Sequence, residues 1–524
     1  MRTNLAARAM GAGCALATLV GTGALGMGCH DAFPQLGAGR RLVVEVRSGE
    51  RGTADARIPL TFQTPAEATL RIAAQRADGG VDTEFSGYVR LSVKPGTVQT
   101  VSGPRVVGRN VRLARGVADD VTVGMVGAYG NARIWAEDMG YFPVEPHVDP
   151  PPQCSNGKDD DGDGAVDFPA DPGCAFANDD SEDVGTYATG VSPIFYFALP
   201  RVADVRGVSQ GGTATSFPHE QVQLDTGYRP ERNTFAFSVV VTRIAPDGFY
   251  VTDLDDPRGF ASVFAYNFSA PSNLGVCDRL TSLAGTASDF FGFTELGFPT
   301  WSVERWLPGV PGARPCMVPE PFVFDVARAL DTPTKLRAVA SLVRAWTGDV
   351  PQPADAPEPR VHPHTLAVAA HFGPGFPEAP AFAPKDDASN CDLNGDGRID
   401  FDTDPEKSCS AACARDVQCS EWSAYAARGD FRLVLHDSDP RVPSGAARDA
   451  QMQANGSSVA TFRAAALRGK PLKSFTGTLR YFSGGSQFTV EARCADDIVV
   501  DLAQPALASD RACVKRTSSD NPGN

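Results

Sequence analysis

Apolar and polar positions alternate in short runs along most of this chain, and the runs are separated by glycine, proline and aspartate. Between Arg41 and Pro146 the runs Leu42-Val43-Val44-Glu45-Val46, Tyr88-Val89-Arg90-Leu91-Ser92-Val93, Val121-Thr122-Val123 and Ala132-Arg133-Ile134-Trp135-Ala136 predict strands with one buried face. Strands at this spacing predict a β-sandwich over 41–146. PHVDPPPQ, from Pro146 to Gln153, reads as a stiff extended linker. The β pattern returns at Arg201-Val202-Ala203-Asp204-Val205, Phe235 to Val241, Gly248 to Asp253 and Ser262 to Tyr266, which places a second β domain over 190–312.

An internal echo predicts a third domain. Leu280-Thr-Ser-Leu-Ala-Gly285-Thr286-Ala-Ser-Asp-Phe290 lines up with Leu472-Lys-Ser-Phe-Thr-Gly477-Thr478-Leu-Arg-Tyr-Phe482, and Gly248-Phe249 finds a partner at Gly429-Asp430-Phe431. The repeat spans 333–503, interrupted by a cysteine-rich insert at 377–420, and a flexible tail follows from 504 to 524. A helix is expected to join the two domains around Asp325 to Trp346, or Ser341 to Ala345 opens the second one directly.

The first stretch resembles the immunoglobulin-like domains of bacterial surface proteins, which implies a spacer or partner-binding role. The pieces PRVADVRG, DGFYVTD and AGTASDFFGFTEL resemble the OB-fold domains that accompany secreted bacterial endonucleases. The expected fold is therefore mainly β: an Ig-like β-sandwich followed by two OB-like β-barrels, with disulfide-bracketed calcium loops.

At the N-terminus, Arg2 and Arg8 precede an apolar run from Ala9 to Gly28, so residues 1–28 read as an export signal. Leu25-Gly26-Met27-Gly28-Cys29 resembles the lipobox of bacterial lipoproteins, with the leucine four residues before the cysteine instead of three. Lipidation of Cys29 would anchor the chain by acyl groups through a tether at 29–40; ordinary cleavage nearby is the alternative. Of the 12 cysteines, the ten beyond Cys29 suit five bridges in an oxidising compartment. Expected pairs are Cys154 with Cys174, Cys277 with Cys316 and Cys494 with Cys513, while Cys391, Cys409, Cys413 and Cys419 pair among themselves. Zinc at that last group is disfavoured because neither a CxxC pair nor a nearby histidine is present.

Two acidic loops change the picture most. Asp159-Asp160-Asp161-Gly162-Asp163-Gly164-Ala165-Val166-Asp167 places side-chain oxygens at positions one, three, five and nine, with a backbone carbonyl at Ala165 and a further carboxylate at Asp171. Such a set wraps a hard cation that takes six to eight oxygens, and calcium suits it better than magnesium, which dehydrates reluctantly. The same grammar recurs at Asp392, Asn394, Asp396, Arg398 (by its carbonyl), Asp400 and Asp404. The loops lack the glutamate of an EF-hand and resemble thrombospondin type 3 calcium repeats. Segments of this kind look like those of exported proteins of predatory or gliding, myxobacterial-type soil bacteria. Two structural Ca²⁺ sites are expected, the first within a linker at 147–187.

Catalytic signals are weak. Gly207-Val208-Ser209-Gln210-Gly211 matches the nucleophile-elbow pattern, but the residues after it make a poor helix start. His362, His364 and His371 lack a third ligand type. Formal charge is −15, which argues against general nucleic-acid coating. Acids outnumber bases between Val191 and Val310, whereas bases outnumber acids between Glu421 and Val500, where Arg463, Arg468, Lys470, Lys473 and Arg480 form a candidate ligand-binding group. Phe249, Tyr250, Phe264, Tyr266, Phe290, Phe291 and Phe293 are candidates for a stacking platform in the first barrel, although aromatics at alternating strand positions more often belong to the core. The leading expectation is a non-enzymatic, calcium-stabilised surface lipoprotein that binds an unknown protein or glycan. A nucleic-acid-binding accessory of extracellular nuclease systems and an unrecognised hydrolase are the alternatives.

Overall fold

The alternating runs pair into sheets in a computed structural model that describes residues 36–142, 151–182, 186–346, 364–368, 430–437, 449–459, 471–483, 487–501 and 504–514. The fold is mainly β. Its first unit contains β1 (Leu36–Ser48), β2 (Ala66–Gln75), β3 (Tyr88–Lys94), β4 (Thr97–Ser102), β5 (Val106–Val107), β6 (Asn110–Arg112), β7 (Val117–Val126) and β8 (Asn131–Asp138). Three short strands that follow the acidic loop complete it: β9 (Thr186–Ala188), β10 (Gly190–Val191) and β11 (Phe195–Tyr196). One sheet runs β4-β7-β2-β1-β9, the other β10-β8-β3-β6-β5 with β11 also on β8. Leu42, Val44, Leu70, Ile72, Leu91, Val121, Val123 and Ile134, on alternate positions of their strands, form the shared core.

This pairing shifts the expected boundaries. The acidic loop does not simply separate two domains; it leaves the first unit after β8 and returns into it at β9, which lies parallel to β1. The return is fixed by Tyr187, whose ring packs 4.5 Å from Phe85 and whose hydroxyl donates to Asp82 at 2.6 Å.

The second unit holds β12 (Gln221–Gln223), β13 (Tyr228–Arg229), β14 (Thr234–Phe235), β15 (Val239–Ala245), β16 (Gly248–Asp253), β17 (Ser262–Tyr266), β18 (Arg279–Phe290) and β19 (Phe293–Glu304). Its path runs β12-β18-β15-β16-β17-β19, and β18 also pairs β19, so five strands close into a ring. Within it β17 and β19 are parallel and the other pairings antiparallel. The segment Arg201 to Val205, expected as a strand, is instead a short helix, α1 (Val202–Val205). Asp204 accepts the amide of Arg201 at 2.9 Å, a local helix-starting bond that the run of apolar residues concealed.

Two helices, α2 (Val326–Leu330) and α3 (Thr332–Ala338), lead to the third unit and lie within the expected joining region. Asp325 and Asp331 cap them by accepting the amides of Arg328 and Thr334. The unit comprises β20 (Phe322–Phe324), β21 (Leu342–Trp346), β22 (His364–Val368), β23 (Asp430–Asp437), β24 (Asp449–Asn455), β25 (Pro471–Leu472), β26 (Ser474–Phe482), β27 (Gln487–Glu491) and β28 (Ile498–Val499). Its path β26-β27-β24-β23-β22-β25 retraces the first ring, with β24 parallel to β27, and closes where β25 runs into β26.

The echo holds residue by residue. Val222 of β12 faces Gly285, and Val343 of β21 faces Gly477. Leu296 pairs with Ala265 and Ala287 in one ring, as Val490 pairs with Ala454 and Leu479 in the other. At Gly477 a side chain would strike the Glu491 carbonyl, so the strand needs glycine there.

The rings pack face to face. Val263 and Ala265 of β17 point into the first ring's core, whereas Phe264 joins Tyr250 and Phe293 against Val343, Leu479 and Val490 of the second unit. Arg243 reaches across to Glu491 at 2.9 Å and Arg493 to the Thr242 carbonyl at 3.3 Å.

Candidate metal centre

The acidic insert between β8 and β9 has little apolar material, and its shape is held by a bridge and by carboxylates. Cys154 is bonded to Cys174 across 20 residues of sequence. Asp159 accepts the amides of Gly162 and Gly164 at 2.7 and 3.0 Å; Asp161 accepts that of Asp163 at 3.0 Å; Asp163 accepts that of Ala165 at 2.7 Å. These charge-assisted bonds make the turns that the glycine-rich sequence permits. They also bring one oxygen of each of Asp159, Asp161 and Asp163 within 4.8 Å of one another at the surface.

The other expected ligands divide. Asp167 turns to the amides of Asn156 and Gly157 at 2.9 Å each, closing the ends of the loop. Asp171 is 2% exposed; its Oδ1 accepts the Gly173 amide at 2.6 Å, while its buried Oδ2 has no hydrogen-bond partner. The Asp161 carboxyl is lowered by the Asp163 amide but raised overall by desolvation and by repulsion from Asp163, Asp171 and Asp159. Ala165 contributes its amide to Asp163.

Glu182, which the sequence reading did not single out, organises the loop. It is fully buried, and its two carboxylate oxygens accept the amides of Asp160 and Asp167 from the two limbs of the loop. Its own amide donates to the Gln153 side chain at 3.2 Å. The available signal was that Glu182 is the one glutamate in a segment otherwise built of aspartates. At the neck of the insert, buried Asp180 lies well above the ordinary aspartate range, through desolvation first and repulsion from Asp138 and Asp179 second.

The donor set fits a hard cation. Asp159, Asp161, Asp163 and Asp171 offer carboxylate oxygens, one of them buried and unpartnered, and mutual repulsion would be relieved by a positive charge. Cys174 also lies beside Asp171 and Glu182, but its sulfur is committed to the disulfide.

Other expected sites take different places. Cys277 is bonded to Cys316 and Cys494 to Cys513, as expected. Arg480 does not form an open basic surface: its guanidinium lies 5.2 Å from the Phe293 centroid and 3.4 Å from Glu491, between the rings. Phe249, Tyr250, Phe264 and Phe293 are buried, the first in the ring core and the others between the units, which removes them as a stacking platform. The reason is period two: both faces of β16 and β17 are covered. Phe290 and Phe291 stay exposed, and Tyr266 is half-buried. Ser209 sits in a single turn of 3₁₀ helix and meets Ser216 at 3.4 Å, with no strand-to-helix elbow. The amide of Lys473 donates to the Val499 carbonyl at 2.8 Å.

Cys29, His362, His371, Asp392, Asn394, Asp396, Arg398, Asp400, Asp404, Cys391, Cys409, Cys413, Cys419, Arg463, Arg468 and Lys470 lie outside the described residues. Among the described residues no helix is long and apolar enough to cross a membrane. No protein-family model matches the chain, and no curated protein matches it in sequence.

Proposed function

We propose that this chain is a calcium-stabilised, non-enzymatic surface lipoprotein that serves as a binding or scaffold module. In this reading the first unit is an Ig-like sandwich carrying a calcium loop. The two rings are tandem OB-like barrels, whose strand path 1-2-3-5-4-1 with strands three and five parallel suits a five-stranded Greek-key barrel. The observation that carries the calcium assignment is Asp171 Oδ2, buried and unpartnered next to Glu182 and close enough to repel Asp161 of the exposed carboxylate triad. Asp159, Asp161, Asp163 and Asp171 would hold the ion, and its chemistry would be charge neutralisation and ordering of the insert. Export is supported by the disulfides, which persist in oxidising compartments, and the anchor is assigned to Cys29 from its sequence setting.

The test is bound-metal analysis of the purified mature chain with melting in calcium and in chelator. Bound calcium together with a lowered insert transition in chelator supports the reading. A metal-free chain whose melting ignores chelator overturns it.

A further inference from the structure

We propose that the end of β17 and the adjoining part of β19 form a platform for a neutral glycan, with Tyr266, Phe268 and Phe298 as its stacking surface and Asp247 and Glu295 as hydrogen-bond acceptors. The inference rests on the reading of the rings as binding modules and assigns the ligand class. Phe268 and Phe298 are 62% and 71% exposed, and the rings form a continuous series: Tyr266 to Phe268 at 4.6 Å and Phe268 to Phe298 at 5.2 Å. Both phenylalanines hold left-handed backbone, φ 58° and 51°, a conformation costly for a bulky residue and found where the surroundings impose it. Phe298 lies in the bulge where β18 and β19 shift register between Ala284 and Thr286, and Phe268 follows the end of β17, so the fold sets their backbone; two large apolar rings left against each other in solvent are what a ligand surface accounts for.

The ground around the rings suits a ring-shaped, hydroxylated ligand. Tyr266 pairs with Gly297 across β17 and β19, and a side chain at Gly297 would meet only the Thr286 carbonyl, at 3.8 Å, so space lies open beside the tyrosine. The amide of Asn267 donates to the Asp247 carbonyl at 2.9 Å, which fixes the β15–β16 turn beside the platform. Glu295 lies on β19 opposite Phe264, two residues along from that row, and its carboxyl is raised chiefly by burial, against a lowering pull from Arg480 and with a smaller push from Asp247. The nearby cation Arg480 is already engaged by Glu491 and stacked on Phe293.

These features select among ligands. An aromatic face carries partial negative charge and attracts the C–H face of a sugar, while carboxylates accept sugar hydroxyls. The same carboxylates repel a phosphate or uronate chain, so charge complementarity favours an uncharged polysaccharide over a nucleic acid.

The test is affinity electrophoresis of the calcium-loaded mature chain in amylose, laminarin, galactomannan and xyloglucan, with polygalacturonate and single-stranded DNA as polyanions. Retardation by at least one neutral polymer is expected, weakened about tenfold by Phe298→Asn or Phe268→Asn and severalfold by Glu295→Gln. Asparagine tolerates left-handed backbone, so these variants keep the parental melting transition. Three outcomes overturn the proposal: no retardation by any neutral polymer, retardation by polyanions alone, or unchanged retardation in the Phe298→Asn and Phe268→Asn variants. Retardation that ignores the variants leaves the rings as binding modules and removes only this platform, whereas the module's calcium dependence is read separately from chelator melting.

Discussion

The acidic insert and the first ring belong to one chain and each is tied by a disulfide, yet they are held by opposite means. The ring buries Val241, Phe249, Val251, Leu280, Leu283 and Leu296 in a continuous apolar core. The insert buries Asp171, Asp180 and Glu182 and keeps its turns on carboxylate-to-amide bonds. Burial of apolar surface stabilises the ring whatever the ionic conditions. Crowded carboxylates stabilise the insert only when their repulsion is offset, so the two regions should respond differently to ions, pH and substitution.

The largest effect is expected in the ring. Leu283→Ala leaves a cavity in its core and costs about 2–5 kcal/mol in denaturant unfolding, equally in calcium and in chelator. A loss that depended on calcium would erase the distinction. Next, replacing both Cys154 and Cys174 by serine removes a cross-link over 20 residues and costs about 3 kcal/mol, read as faster proteolysis within 154–182 while the rings stay intact. Equal proteolysis of all three units would show that the insert is not a separate region.

Glu182→Gln keeps the size of the side chain but replaces one of two acceptor oxygens by a donor facing a backbone amide. The expected cost is about 1–3 kcal/mol, seen as faster amide exchange at Asp160 and Asp167. Smaller still is the pH effect of Asp180. Its folded value lies above the ordinary aspartate value, so the native state retains a proton that the unfolded state has lost. Stability therefore falls as pH rises from the unfolded value through the raised native value, and is level above it. Asp180→Asn, neutral throughout, should gain on the parent across that window in pH-dependent melting; parallel curves would contradict the assignment.

The comparison also explains what the sequence made legible. Period-two alternation located β1, β3, β7 and β8 of the first unit, and identity at Leu, Ser, Gly, Thr and Phe in two distant segments pointed to the path that the rings share. Local rules identified all three described disulfides and the acidic turns. Long-range relations were the part that stayed hidden. Nothing local to Thr186 to Tyr196 says that these residues close the first unit, because short strands acquire meaning only from β1 and β8. For Tyr250 and Phe264 the sequence favoured a core place and left a ligand face open, and for Arg480 it offered a ligand-binding group; the second ring is what covers all three. Glu182 was hidden for the same reason, since its partners at 160 and 167 are brought to it by the disulfide-bracketed loop.

Amide hydrogen exchange on the mature chain, with calcium and then with excess chelator, tests the central claim most directly. The account predicts that chelator strips protection from Asp163, Ala165, Asp167 and Gly173 by about a hundredfold while β15 to β19 are unchanged. Identical exchange of the insert in both conditions would contradict it.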